Sequence, residues 1–473
     1  MKVRTTLSTP ALLRRRGWLQ WAGCFAGRCV GGGAGALGAG SAWSQQGAAV
    51  PEAANAAEPP RLALLIGNRD YPEGEDLPPI HKNVRDLRAV LEKRGFEVTE
   101  GLDLDLPQAL AATAAFAARL RAAPPEATAF FYFSGHGAQV DAENLLVSAR
   151  QSPKARPDTL VRASLALSKD VISLLPRRPA GLTIAVVDAC RTSIRELARG
   201  DGLNQVEAPP GCLIAFATGA GKPAIAPADD TRNTFYTASL VKLLAQSSDE
   251  ISFSDLFRLV KTDVQNTMLN HPVPLLRQFA QYPFIAENTQ VRRRLAPQAG
   301  ATAAAAPTRF ASRDEAADFA QLEAALWPAE VAKLAASFLA NHGASRLAGS
   351  AQVARDGAAE AAQFLRRNDV RLFRSAFMPS ENLPAAELAK AGRGDKDAAA
   401  RLARAHGRDA ARFDIDRYEG WLQYAAALGN GIASYELALH YRRTSQPLLA
   451  AQFEARAREL GYTPPPSLDN SRK

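Results

Sequence analysis

Residues 61–290 alternate between short, continuous apolar runs and longer stretches with apolar positions every three or four residues. Leu62–Ile66 is such a run, closed by Gly67, and suits a strand buried on both faces. Val84, Leu87, Val90 and Leu91 give residues 82–94 a helical stripe that stops at Gly95, a natural C-terminal cap. Phe96–Val98 opens a second strand, a helix is expected over 107–122 before Pro124 and Pro125, and Thr128–Phe133 is a third strand. Leu182–Val187, Cys212–Ala217 and Tyr282–Ile285 supply strands four to six, with helices near 168–175, 234–246 and 253–266. Strands that alternate with helices imply an α/β domain built on a six-stranded, mostly parallel sheet covered by helices.

The rhythm breaks at residues 288–307, where Arg292-Arg293-Arg294 precedes an Ala/Pro/Thr run that reads as a linker. From 308 onward the pattern is all-α and alanine-rich. Residues 308–380 are a helical region without evident repetition. Within 381–465, Gly394, Ala398, Leu402, Ala403 and His406 recur as Gly429, Ala433, Leu437, Ala438 and Tyr441, and Ala455–Gly461 is a shortened echo. The offset is 35 residues at each position, a period of paired-helix solenoids. This segment resembles the Sel-one-like branch of tetratricopeptide-type repeats, which implies protein partners docking there. An alanine-rich bundle with accidental periodicity is the competing reading.

The formal charge of +9 is not a nucleic-acid signature. Residues 1–44 hold Lys2, Arg4, Arg14, Arg15, Arg16 and Arg28 and no acid, which leaves only +3 for everything else. A basic start, a Gly/Ala-rich apolar stretch and Ala42-Trp43-Ser44 as a small-x-small cleavage site read as an export signal peptide. Arg15-Arg16-Gly17-Trp18-Leu19-Gln20 resembles a twin-arginine motif, so an exported, periplasmic protein is expected. A membrane anchor is the alternative if the segment is retained. Residues 45–60 form an Ala/Pro/Glu linker. Basic runs interleaved with aromatics are missing, so no nucleic-acid partner is expected.

Of four cysteines, only Cys190 and Cys212 lie beyond the leader. That pair makes neither a disulfide framework nor a zinc quartet, and no His-Glu-x-x-His occurs, so no metal or cofactor is expected. Gly219-Ala220-Gly221-Lys222-Pro223 lacks the first glycine of a phosphate loop and carries proline where magnesium needs a hydroxyl.

Chemistry in a parallel sheet gathers at the carboxyl ends of its strands. The third strand runs into Ser134-Gly135-His136-Gly137, the fourth into Asp188-Ala189-Cys190-Arg191. If the two strands are neighbours, His136 and Cys190 meet. An imidazole that takes the thiol proton makes the sulfur a nucleophile. Backbone N–H groups of Gly137 and Cys190 are placed to receive an oxyanion. Singly, each residue has an ordinary structural role open to it. Together, on two strand ends, they point to a His/Cys dyad.

These two motifs resemble the signatures of caspase, metacaspase and bacterial caspase-like peptidases. Leu64-Leu65-Ile66-Gly67-Asn68, Gly95-Phe96-Glu97-Val98, Ala208-Pro209-Pro210 through Thr218, and Asn233-Thr234-Phe235-Tyr236-Thr237 fit the same family. The resemblance covers residues 61–287 and implies a caspase-like fold and a cysteine endopeptidase acting on protein or peptide substrates. It also implies that Asp188 lines the first substrate pocket and selects Arg or Lys through a charge-assisted pair; a local turn cap is its other reading. Many relatives carry an acid where this chain has Asn83, and Asp86 stands one turn later. Arg191, Arg195 and Arg199 are candidates for self-cleavage or a solvated basic helix. Two competing functions remain: a catalytically silent scaffold whose repeats bind partners, and a cysteine hydrolase of small amides.

Overall fold

In a computed structural model, the described residues run from 59 to 463. They omit Ala142, 190–191, 194–204, 220–223, 296–312, 381–382, 408–409 and 411–412. The expected signal segment and Cys190 lie outside the described residues. So do the arginines that follow it and most of the glycine-rich stretch at 219–223.

In chain order the first half contains β1 (Arg61–Gly67), α1 (Ile80–Lys93), β2 (Phe96–Leu102), α2 (Leu106–Ala122), β3 (Thr128–Gly135), β4 (Gly137–Val140), β5 (Glu143–Val147), α3 (Pro157–Ala163), β6 (Ser164–Ala166), β7 (Leu182–Ala189), β8 (Thr192–Ser193), β9 (Cys212–Phe216), α4 (Phe235–Gln246), α5 (Phe253–Leu269), α6 (Pro274–Gln278) and β10 (Phe284–Asn288). The main sheet has six strands in the order β10-β9-β7-β3-β1-β2, all parallel except β10. The expected α/β architecture is therefore present.

Alternation along each central strand divides the core between two faces. Leu65, Phe130, Tyr132, Ile184, Val186 and Leu213 pack under α1, α4 and α5. Leu64, Phe131, Phe133, Val187, Ile214 and Phe216 face α2 and the Leu167–Val171 turn. Every residue of β3 and β7 is buried. That two-sided burial is why their sequences read as unbroken apolar runs, and each large side chain contributes about 2 kcal/mol.

Two local expectations shift. Residues 167–172 form one wide π-type turn in place of a helix over 168–175. The last strand begins at Phe284 rather than Tyr282, because Pro283 has no N–H for a ladder and Tyr282 is exposed. A second, four-stranded sheet, β6-β5-β4-β8, stands beyond the end of β3.

The second half is helical: α7 (Arg313–Ala324), α8 (Pro328–Asn341), α9 (Ala348–Phe364), α10 (Ala385–Gly392), α11 (Lys396–Arg404), α12 (Ile415–Ala427), α13 (Gly431–Arg443) and α14 (Pro447–Glu459). Gly394 and Gly429 both have positive φ, +81° and +95°, and end α10 and α12. Each precedes a side-chain N-cap, Asp395 for α11 and Asn430 for α13. All described residues belong to one unit, Glu58–Lys473.

This region covers the open edge of the main sheet. Asp397 accepts from the Glu287 N–H (2.9 Å), Arg401 donates to the Glu287 carbonyl (2.9 Å), and Lys390 donates to the Thr289 carbonyl. Lys396 lies over the Phe284 ring at 4.4 Å. Side chains thus fill hydrogen-bonding positions that an uncovered edge strand would offer to another chain.

Candidate active site

β3 and β7 are neighbours in parallel register, with Ser134 opposite Asp188 and Gly135 opposite Ala189. His136 is the next residue of β3's chain, at the carboxyl edge. Two contacts hold its ring and one its backbone. Nε2 lies 2.8 Å from the Glu75 carbonyl oxygen. The Tyr71 ring meets it edge-on, with centroids 4.6 Å apart. Its backbone N–H donates to Tyr71 Oη (3.1 Å), and that hydroxyl donates to the Val147 carbonyl (3.1 Å).

A carbonyl only accepts, so the proton of the neutral imidazole sits on Nε2 and the lone pair on Nδ1. Burial lowers the pKa of His136 below the ordinary imidazole value, with the Glu75 carbonyl working the other way. The ring is thus kept as a neutral, oriented base. The segment carrying Glu75 is a tight turn in which Glu73 adopts φ +63°, a conformation costing about 1 kcal/mol for a residue with a Cβ. Gly135 is required where it stands: a Cβ there would lie 2.6 Å from Tyr71 Oη.

Val147 N–H donates to the His136 carbonyl (3.0 Å), and Gly137 stands opposite Leu146. That pair is therefore non-hydrogen-bonded, and the Gly137 N–H is directed away from β5.

Asp188 is buried at the end of β7. Its Oδ2 accepts from the hydroxyls of Thr234 and Thr237, the latter at 2.6 Å. Oδ1 has no partner among the described residues. Burial raises its pKa, opposed by the two threonines and Tyr132. Asn83, fully buried on α1, extends the chain of polar contacts: its Nδ2 donates to Thr234 Oγ1 (3.1 Å) and Ser134 Oγ (3.2 Å), and its Oδ1 accepts from Thr234 N–H (3.1 Å). Asp86 instead pairs with Lys82 on the helix surface at 2.7 Å.

Cys212 is buried at the opposite end of the sheet, and burial pushes its thiol up to about 11. Its strand partner Thr183 is six positions from Ala189, about 20 Å along a strand. Cys212 is a free, buried thiol, far along the sheet from His136. Among the described residues no cluster of His, Cys, Asp and Glu could hold a metal ion, and no helix is long and apolar enough to cross a membrane.

The structure places the expected residues His136, Gly137 and Asp188 at the carboxyl edge of β3 and β7; sequence reasoning did not single out Tyr71, Thr234 and Thr237 as their neighbours, nor the Glu75 carbonyl. The carbonyl leaves no side-chain signal. Tyr71 carried only a faint one, an aromatic before Pro72 in a polar loop.

Residues 60–294 match the family model described as the caspase domain. Among solved structures, caspase-1 from Spodoptera frugiperda is similar at 17% identity, covering 51% of this chain and 91% of that chain with a TM-score of 0.39. No curated protein matches the chain.

Proposed function

We propose that this protein is a cysteine endopeptidase that cleaves after Arg or Lys with a His136/Cys190 dyad. The observation that carries the reading is the β3–β7 register, whose last pair, Gly135–Ala189, is followed in sequence by His136 and Cys190. The Glu75 carbonyl supports it by leaving Nδ1 as the free basic nitrogen.

In this mechanism Nδ1 takes the Cys190 thiol proton, and the sulfur attacks the scissile carbonyl carbon. The carbonyl oxygen gains the charge and is held by the N–H groups of Gly137 and Cys190. The imidazolium then protonates the leaving amine as the C–N bond breaks. A water then gives a proton to the same imidazole as it attacks the thioester carbonyl; the C–S bond breaks, and the imidazolium passes that proton to the leaving sulfur.

The preference for a basic residue rests on Asp188, whose Oδ1 is buried without a partner among the described residues. A buried carboxylate oxygen gains from a substrate guanidinium or ammonium group. Asn83, in place of a second acid, lowers the negative charge of that pocket. The export reading of residues 1–44, and with it a periplasmic location, belongs to the same proposal. So does the Sel-one-like assignment, supported by the paired caps Asp395 and Asn430 after Gly394 and Gly429.

Digestion of a proteome-derived peptide library tests activity and preference together. Cleavage after Arg and Lys that vanishes in Cys190→Ala is expected. No Cys190-dependent cleavage under any activating condition would favour the scaffold.

A further inference from the structure

The turn that offers its carbonyl to His136 is held from outside, by the chain that leaves β5. The turn's own closing bond, from the Glu75 N–H to the Pro72 carbonyl, is long at 3.4 Å, and Glu73 and Gly74 both stand at positive φ. A strained conformation of this kind persists only where its surroundings impose it. The segment between β5 and α3 supplies them, and it is tied down at both ends. Ala149 N–H donates to the Leu104 carbonyl (2.9 Å) and Arg150 N–H to the Asp70 carbonyl (3.2 Å), while Leu160 of α3 is buried. From this support two side chains reach the turn. Ser152 Oγ donates to Glu73 Oε2 (3.0 Å) and accepts from the Lys154 N–H (3.2 Å). Lys154 Nζ pairs with Glu75 Oε1. The residue whose carbonyl meets His136 Nε2 is thus gripped by its own carboxylate.

We infer that Lys154 and Ser152 are positioning residues for His136, acting through the Glu75 carbonyl: together they strap the turn so that this oxygen stays against Nε2 and the ring proton stays there with it. The catalytic consequence rests on the peptidase reading above; the placement of the proton rests on the hydrogen bond alone.

Two other roles for the strap are weaker. The Lys154 side chain is 60% exposed, and an exposed ion pair adds only about 0–1 kcal/mol to stability, so the fold gains little. Nor does the pair act chiefly through its field. Burial is the main influence on the His136 pKa; of the two side-chain charges, Glu75 works to raise it and Lys154 to lower it. Seen from the ring they oppose each other. What remains is geometry. Hydrogen bonds weaken steeply as they bend, and a misplacement of about 1 Å costs roughly 100-fold in rate. Lys154 also holds the Glu75 carboxyl below its ordinary pKa, and Glu75 raises that of Lys154, so both ends of the strap are charged.

The test uses full-length parent, Lys154→Met, Ser152→Ala, their double variant and Lys154→Arg. Exchange of the His136 Nε2 proton with water is followed by NMR on protein carrying isotope-labelled histidine, with the signal assigned by its loss in His136→Ala. Values of kcat and KM on an arginyl peptide reporter and thermal unfolding are read on the same preparations. Methionine keeps the reach of lysine without its charge, and alanine removes the hydroxyl that meets Glu73. In the double variant exchange is expected to be about tenfold faster and kcat roughly tenfold lower, with KM within about threefold. Tm should fall by no more than a few degrees. Lys154→Arg keeps a charge-assisted bond to Glu75 and should exchange within about twofold of the parent. Parent-like exchange in a folded double variant would overturn the inference, and so would a Lys154→Arg protein that exchanges as fast as Lys154→Met. Faster exchange with full kcat in an active parent would overturn it too. If the double variant does not fold, the two single variants make the same comparison. A parent without Cys190-dependent turnover sinks the peptidase reading instead, and the exchange rates alone then decide whether the strap places the proton.

Discussion

The Glu75 carbonyl oxygen lies 2.8 Å from His136 Nε2, a contact between a backbone atom and a side chain 61 positions apart. It fixes which ring nitrogen carries the proton, and so which one is free to act as base. A main-chain group cannot be removed by substitution, but the turn that presents it can be changed. Glu73, at φ +63°, is the residue most at odds with its conformation. Glu73→Gly should relax the turn. Stability is expected to be unchanged or slightly higher, and kcat lower as the carbonyl loses its fixed position. Thermal melts and steady-state kinetics on one preparation check both directions.

Tyr71→Phe removes the acceptor for the His136 N–H and the donor to the Val147 carbonyl while keeping the ring contact. Asn68 Nδ2 still donates to the Val147 carbonyl (3.1 Å), so the His136 N–H is the group left without a partner, at a cost of about 1–3 kcal/mol. A Tm lower by several degrees and a kcat lower by roughly tenfold are expected, with KM little changed. A variant that melts lower yet keeps full kcat would show that the hydroxyl only supports the fold.

The pH profile follows from the lowered pKa of His136. A buried imidazole resists protonation, so the neutral base persists to lower pH. The acid limb of kcat/KM is expected below about pH 6.5, the ordinary imidazole value. The same group binds its proton more weakly when folded than when unfolded. Its contribution to stability is therefore complete above about pH 6.5 and is lost as pH falls through the unfolded and then the folded pKa. Melts across pH 5–8 read the second effect independently of activity.

Asp188→Asn separates stability from selectivity. Burial raises the pKa of this carboxyl, so the folded state holds its proton more tightly than the unfolded one. The charged form destabilises the fold above both pKa values, and that penalty disappears as pH drops below them. Asparagine keeps an oxygen for Thr234 and Thr237 without the charge. The variant is expected to melt a few degrees higher near neutral pH, with the difference shrinking toward acid, while selection for Arg and Lys weakens. An unchanged first-site profile would remove Asp188 from the pocket.

The edge of the sheet offers a test of association. Asp397→Ala with Arg401→Ala strips side chains from both hydrogen-bonding groups of Glu287 on β10. An uncovered edge strand is a template for another chain. Concentration-dependent self-association of the double variant, but not of the parent, is expected in sedimentation experiments.

Most of the sheet was legible in the sequence because its central strands are buried on both faces. Leu62–Ile66 and Thr128–Phe133 had to be continuously apolar, and α1 announced itself through Val84, Leu87, Val90 and Leu91. The small sheet was not legible. Its strands are two to five residues long, too short for a period of two to stand out. At the site, glycines around a histidine were visible as a motif. The Glu75 carbonyl and the clasp of Tyr71 come from a loop, and the threonines under Asp188 from the start of α4, which only tertiary folding brings together.

The most direct measurement is the pH dependence of Cys190 alkylation in the parent and in His136→Ala, with Cys190→Ala as the blank. In the parent the thiol is expected to react with an apparent pKa well below the free-cysteine value of about 8.5, and in His136→Ala the curve should return toward that value. Identical curves in the two proteins would mean that the imidazole and the sulfur do not act together, and the dyad would fall with them.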